Sequence, residues 1–218
     1  MPGAPAAFFT GNVLPDLVGQ VGHNGLRRES VAGKVGPVAD GIRLHLDTDR
    51  RFHTDLAFLD GCQRAGALLR SAVLNPPPRR VFFLAHVAYE LALDAVLLEN
   101  SKDLADDLYK QLVQGKSAAL EFLGDTVPLH FVEHYDSFIE HGYLRHYTRL
   151  ETLSRALRGI ARRVATDLLP DSEESVAKLE AFFVALRETI EPEAEELLLR
   201  VGGTWYNSLQ VAAYADDY

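Results

Sequence analysis

A chain of 218 residues with 47% hydrophobic side chains is long enough to bury a substantial core and fits one ordinary domain, 1–218. A formal charge of -9 excludes a general nucleic-acid binder, which needs surplus Lys and Arg to neutralise phosphates. The single cysteine, Cys62, excludes a disulfide framework and any CxxC zinc or redox motif, so a reducing, cytoplasmic setting is expected.

The N-terminal "MPGAPAAFFTGNVLPD" has no basic stretch followed by a long apolar run, so neither secretion nor membrane spanning is expected. Pro, Gly and Asn crowd "GNVLPDLVGQVGHNGLRRESVAGKVGPVAD", which reads as loop broken by short helical pieces. From about residue 41 the pattern is helical. "GIRLHLDTDRRF" leads into "HTDLAFLDGCQRAGALLRSAV", whose apolar residues recur at three and four, and "NPPPRR" stops it. Next comes "VFFLAHVAYELALDAVLLEN", 81–100, a helix apolar enough to be buried all round.

Helical segments follow at "SKDLADDLYKQLVQGKSAALEFLG" and from "PLHFVEHYDSF" through "RALRGIARRVATDLL". The last runs from "DSEESVAKLEAFF" to "EELLLRVGG", with Asp171 and Ser172 as candidate caps and acidic residues in its first turn. With no run of alternating strands and no internal repeat, the expected fold is all-α: a single helical domain of about six to eight helices, with an irregular N-terminal segment laid across it.

The 81–100 helix carries His86, Glu90 and Asp94, each four residues after the last, so the three form one stripe. An imidazole and a carboxylate at i and i+4 present a nitrogen and a hard oxygen to one point, which suits zinc, manganese or iron. The alternative is that His86 bonds Glu90 within the helix, or that arginines of a neighbouring helix close the stripe. Either way, burying unpaired carboxylates costs several kcal/mol, so something must compensate. His45 and Asp49 repeat the spacing, with Asp47, His53 and Asp55 close by. Thr54 and Asp55 also have the residue types of a helix N-cap. Asp16, directly after Pro15, is either a ligand or the cap of a short helix. His130 and His134 form a further i, i+4 pair beside a Pro-initiated turn. "VAGKVG" lacks the first glycine and the Ser/Thr of a phosphate loop, no GxSxG elbow is present, and Cys62 lies in an ordinary amphipathic helix.

Several blocks, in order, resemble the acyl carrier protein phosphodiesterase family. "GNVLPDLV" is similar to its Gly-Asn-Leu-Leu-x-Asp-Phe-Val block, and "GIRLHLDTDRRFHTD" to its Gly-Ile-x-x-His-x-x-x-Asp-x-x-Thr-Asp block. "HVAYELALD" stands where the family has Asp-x-x-Trp-Asp-His-Phe-Leu, and "YLRHYTRLETLSRALRGIARR" resembles its Trp-Leu-x-x-Tyr block. Differences accompany the likeness. The usual N-terminal His is missing, two extra residues separate Asp49 from Asp55, Leu46 and Asp47 replace a basic pair, and His86 stands where the family has Asp.

The resemblance implies a helical fold like that of HD-type phosphohydrolases and a divalent ion, manganese first, with zinc or iron as alternatives. It implies hydrolysis of the phosphodiester joining 4′-phosphopantetheine to a serine of the acyl carrier protein. By position it assigns His45, Asp49, His86 and Glu90 to the metal, and Asp16 and Asp55 to further ligation or to orienting water. Arg155, Arg158, Arg162 and Arg163 would neutralise phosphate or contact the acidic carrier. Two other readings stay open: a metal-dependent phosphoesterase of another small substrate, and a non-catalytic helical binding protein. The oligomeric state is not legible.

Overall fold

The computed structural model describes residues 6–21, 25–72, 80–101, 103–163 and 172–202. Among these residues there is no strand. Eight α-helices run α1 (Ala6–Gln20), α2 (Pro37–Thr54), α3 (Leu56–Ala72), α4 (Val81–Asn100), α5 (Leu104–Leu123), α6 (Phe131–His141), α7 (Leu150–Arg163) and α8 (Glu173–Gly202). Short 3-10 turns occupy Arg28–Val31, Gly124–Thr126 and Tyr143–His146. The helices fall into two compact units, one drawing on Met1–Phe52 and Asp103–Tyr143, the other on His53–Lys102 and Leu144–Arg200.

The first unit corrects the sequence reading of its N-terminus. Residues 6–20 are one continuous helix that runs through Gly11 and Pro15, and Asp16 lies inside it rather than on a turn. The reason is packing. Leu14, Leu17 and Val18 are buried at helical spacing, and α1 lies against α5 and α6. Gly11 and Gly41 mark the crossing of α1 with α2. A Cβ on Gly11 would collide with the Val38 backbone, and one on Gly41 with the Phe8 carbonyl. These glycines let two backbones touch; they do not break a helix. Thr10 is fully buried and donates to the Gln111 carbonyl at 3.4 Å, and the Tyr135 hydroxyl donates to the Leu112 carbonyl at 2.8 Å.

The second unit is built around α4, whose buried residues Leu84, Ala85, Ala88, Tyr89, Ala92 and Ala95 face α3 and α7. By length and composition alone α4 could cross a bilayer. It is not buried all round, however: Phe82, Phe83 and Asp94 are exposed, and His86 and Glu90 are half-buried. The polar stripe is the edge of the packed surface. α8 contributes Phe182, Phe183, Leu186 and Ile190 to the core, and it is tied to residues outside it by the ion pairs of Arg187 with Glu99, Glu193 with Arg64, and Arg200 with Asp55. Its start is capped as the sequence suggests, with the Ser172 hydroxyl accepting from the Ser175 N–H at 3.2 Å. Asp171 lies outside the described residues.

Gly41→Ala is expected to lower stability by about 1–3 kcal/mol through overpacking. Gly19→Ala, where a Cβ meets nothing within 4 Å, should be neutral or stabilising by about 0.4–1 kcal/mol. Urea unfolding midpoints of the two variants check the contrast.

Candidate metal centre

Helix geometry puts His45, Asp49 and His53 on one stripe of α2, and His86, Glu90 and Asp94 on one stripe of α4. The second unit joins members of both stripes. His53 Nε2 lies 3.1 Å from Glu90 Oε1, and His86 Nε2 lies 3.0 Å from the same oxygen. The three donor atoms lie within 4.8 Å of one another. The two imidazoles stack, with centroids 4.7 Å apart and 23° between planes. The Phe58 ring meets both edge-on, at 5.2 Å from His53 and 5.1 Å from His86, and itself rests on Tyr89. Phe58 and Tyr89 are each 1% exposed, so the cluster has a fixed apolar floor.

The other face is open, since 31%, 36% and 35% of the His53, His86 and Glu90 side chains remain accessible. Burial pushes the Glu90 carboxyl up, but the hydrogen bonds and charges of His86 and His53 outweigh it and hold the pKa below the usual glutamate value. Glu90 is therefore a carboxylate at neutral pH. Donors about 2.1 Å from an ion lie about 3.0 Å apart at right angles and about 3.4 Å apart at tetrahedral angles, so separations of 3.1 and 3.0 Å are close to those of a divalent cation's ligands as well as to those of hydrogen bonds. Cys62 lies close enough for the charge of Glu90 to act on it. Burial first, then that charge, push its thiol up to about 12, which leaves it protonated and inert.

In the first unit, His45 Nε2 is 3.7 Å from Asp16 Oδ1, with the imidazole 18% and the carboxylate 64% exposed. Asp49 is exposed on α2. His130 precedes α6 in a left-handed conformation, φ 63°, and His134 meets Gln20 at 3.1 Å, so the two do not share a helix. In the second unit, Arg155 is exposed and paired with Glu151, and Arg162 is exposed. Arg158 lines an open cleft of about 360 Å³ with Ser172, Glu173, Val176 and Glu180. The Arg163 side chain lies outside the described residues.

Asp55 has a structural task. Its Oδ1 accepts from the Ala57 N–H at 2.8 Å, capping α3, and Arg200 pairs with it at 3.2 Å. Sequence reading placed His53 close to the pair of His45 and Asp49 without assigning it to the metal. Its signal is the i, i+8 spacing from His45, which counts only once α2 is known to run on to Thr54.

A comparison with protein families matches the acyl carrier protein phosphodiesterase model over residues 5–193. The chain belongs to the acyl carrier protein phosphodiesterase family. No curated protein and no solved structure matches it. The family match takes in both units' blocks, from Asp16 to Arg163, and so covers every residue the resemblance assigns.

Partial burial pushes the Asp55 carboxyl up, but the Arg200 and Ala57 hydrogen bonds and the Arg200 charge hold its pKa below the ordinary 3.8. The stabilisation this brings is complete above 3.8 and is lost as pH falls through the folded-state pKa. Asp55→Ala should cost about 0.5–2 kcal/mol at pH 7. Denaturant unfolding at a series of pH values should show this deficit shrinking as the solution is acidified.

Proposed function

We propose that this protein hydrolyses the phosphodiester linking 4′-phosphopantetheine to a carrier-protein serine, giving the apo carrier and free phosphopantetheine, with help from a divalent ion. The observation that carries the reading is a family match spanning 5–193 on a chain whose second unit gathers two imidazoles and a carboxylate on an open surface. When bound, such an ion polarises a phosphoryl oxygen and lowers the pKa of water towards about 7.

The chain's own residues supply the rest. His53, His86 and Glu90 would hold the ion, and Phe58 fixes the planes of both imidazoles so that their Nε2 atoms converge. Glu90, held ionised by its neighbours, supplies the negative charge that keeps a cation there. Asp16 and His45, 3.7 Å apart, are the family-block pair of the first unit and a candidate for holding a proton. Manganese is the ion the family resemblance implies, and a cytoplasmic location fits a carrier-protein substrate.

A second reading, a phosphoesterase of a different small substrate, is favoured by one feature. The arginines suited to docking an acidic carrier have acidic company: Arg155 pairs with Glu151, and Arg158 shares its cleft with Glu173 and Glu180. A patch diluted in this way steers an acidic partner weakly.

The test is release of phosphopantetheine from a holo carrier protein, followed by the mass change to the apo form, with added Mn2+ and after chelation. The wild type should act and lose activity with chelator. His86→Ala and Glu90→Gln should each lower the rate by about 10²-fold or more with the fold intact by circular dichroism. Hydrolysis of bis(p-nitrophenyl) phosphate with none of the holo carrier would replace this reading with the second.

A further inference from the structure

We infer that His53, His86 and Glu90 form a mononuclear site for a borderline divalent ion, zinc or ferrous iron, and that this chain prefers such an ion to manganese. The inference rests on the reading that the cluster holds a cation, and is independent of the substrate.

The donor set is the first reason. Two of its three donors are imidazole nitrogens, and imidazole suits zinc and iron, whereas carboxylate, carbonyl and water oxygens suit manganese and magnesium. Two histidines and one carboxylate with positions left over is the set found in catalytic zinc sites and in ferrous facial triads. His86 stands where the family block has a carboxylate, and His53 comes from a block with two more residues between Asp49 and Asp55 than the one it resembles. The first of these departures replaces an oxygen donor by a nitrogen.

The surroundings point the same way. Hard ions keep much of their water and need room and oxygen atoms around them. Here one side is closed by the edge of Phe58, which lies 5.2 and 5.1 Å from the two imidazoles and is itself buried. Asp94, the next carboxylate along the α4 stripe, is exposed and is not among the three groups that converge. With a single carboxylate, a bound divalent ion keeps a net charge of about +1, which favours an anionic ligand such as a phosphodiester more than a two-carboxylate site would.

The experiment uses the full chain, stripped with chelator and dialysed. Zn2+ and Mn2+ are titrated calorimetrically, Fe2+ under anaerobic conditions, and Co2+ is followed by its visible absorption. One Zn2+ per chain is expected, at least about 100-fold tighter than Mn2+. His53→Ala and His86→Ala should each weaken Zn2+ by about 10²-fold and change the Co2+ spectrum, and His53→Asp should narrow the Zn2+ to Mn2+ preference by about tenfold or more. Asp94→Asn should still bind one Zn2+ per chain, and melting of each variant shows whether it folds.

Zinc binding indifferent to His53, or Mn2+ held as tightly as Zn2+, overturns the inference. An ion bound through these three residues in a chain that leaves the holo carrier intact supports the inference and removes the proposed substrate. Carrier hydrolysis with Mn2+ in a chain whose Zn2+ affinity ignores His53 does the reverse.

Discussion

A carboxylate on the least polar of the described helices is the constraint around which the second unit is arranged. Glu90 belongs to α4, a helix that otherwise offers Leu, Ala, Val and Tyr to its neighbours. A charge at the edge of that setting is partly screened by solvent, yet its inward side still needs charge or hydrogen bonds to meet it. Two imidazoles meet it here, on one oxygen. Their placement depends on Phe58 and Tyr89, and Tyr89 in turn lies so close to α3 that a side chain at Gly61 would collide with its ring. The functional cluster and the α3 with α4 packing are therefore one piece of structure.

Much of this was legible from residue spacing. The limits of α4 and α8, the Ser172 cap and the all-α class follow from apolar periodicity and from Pro and Ser positions, which are local signals. The N-terminal helix was not legible, because Gly11 and Pro15 have the same identity whether they make a turn or admit a close neighbour. Only the position of Val38 decides between these. His53 was hidden for a similar reason: it gains meaning from Glu90, 37 residues away. Asp94 misled in the opposite direction, since a perfect spacing does not say where the buried face of a helix ends. For Asp55 the two roles proposed from sequence, cap and catalytic group, use the same oxygens; the cap is seen in the Ala57 bond, with Arg200 beside it.

The arginines show how composition alone overstates a basic patch. Residues 155, 158 and 162 share one face of α7 by spacing, yet carboxylates on the same helix and on the start of α8 sit among them. An exposed i, i+4 pair such as Arg155 with Glu151 contributes little to stability. It does reduce the field that a distant acidic partner would feel.

The two units alternate along the chain: residues 103–143 of the first are inserted between residues 53–102 and 144–200 of the second. During synthesis, the segment carrying His53, His86 and Glu90 leaves the ribosome well before α7 and α8, the helices that complete its core. Until then its apolar faces have no permanent cover, which is the period when such surfaces attract chaperones or aggregate. The interleaving also means that no single cut of the polypeptide separates the units intact. A protease, or a frameshift, that removes the final third would leave all three donors present in sequence and without the helices that pack behind them.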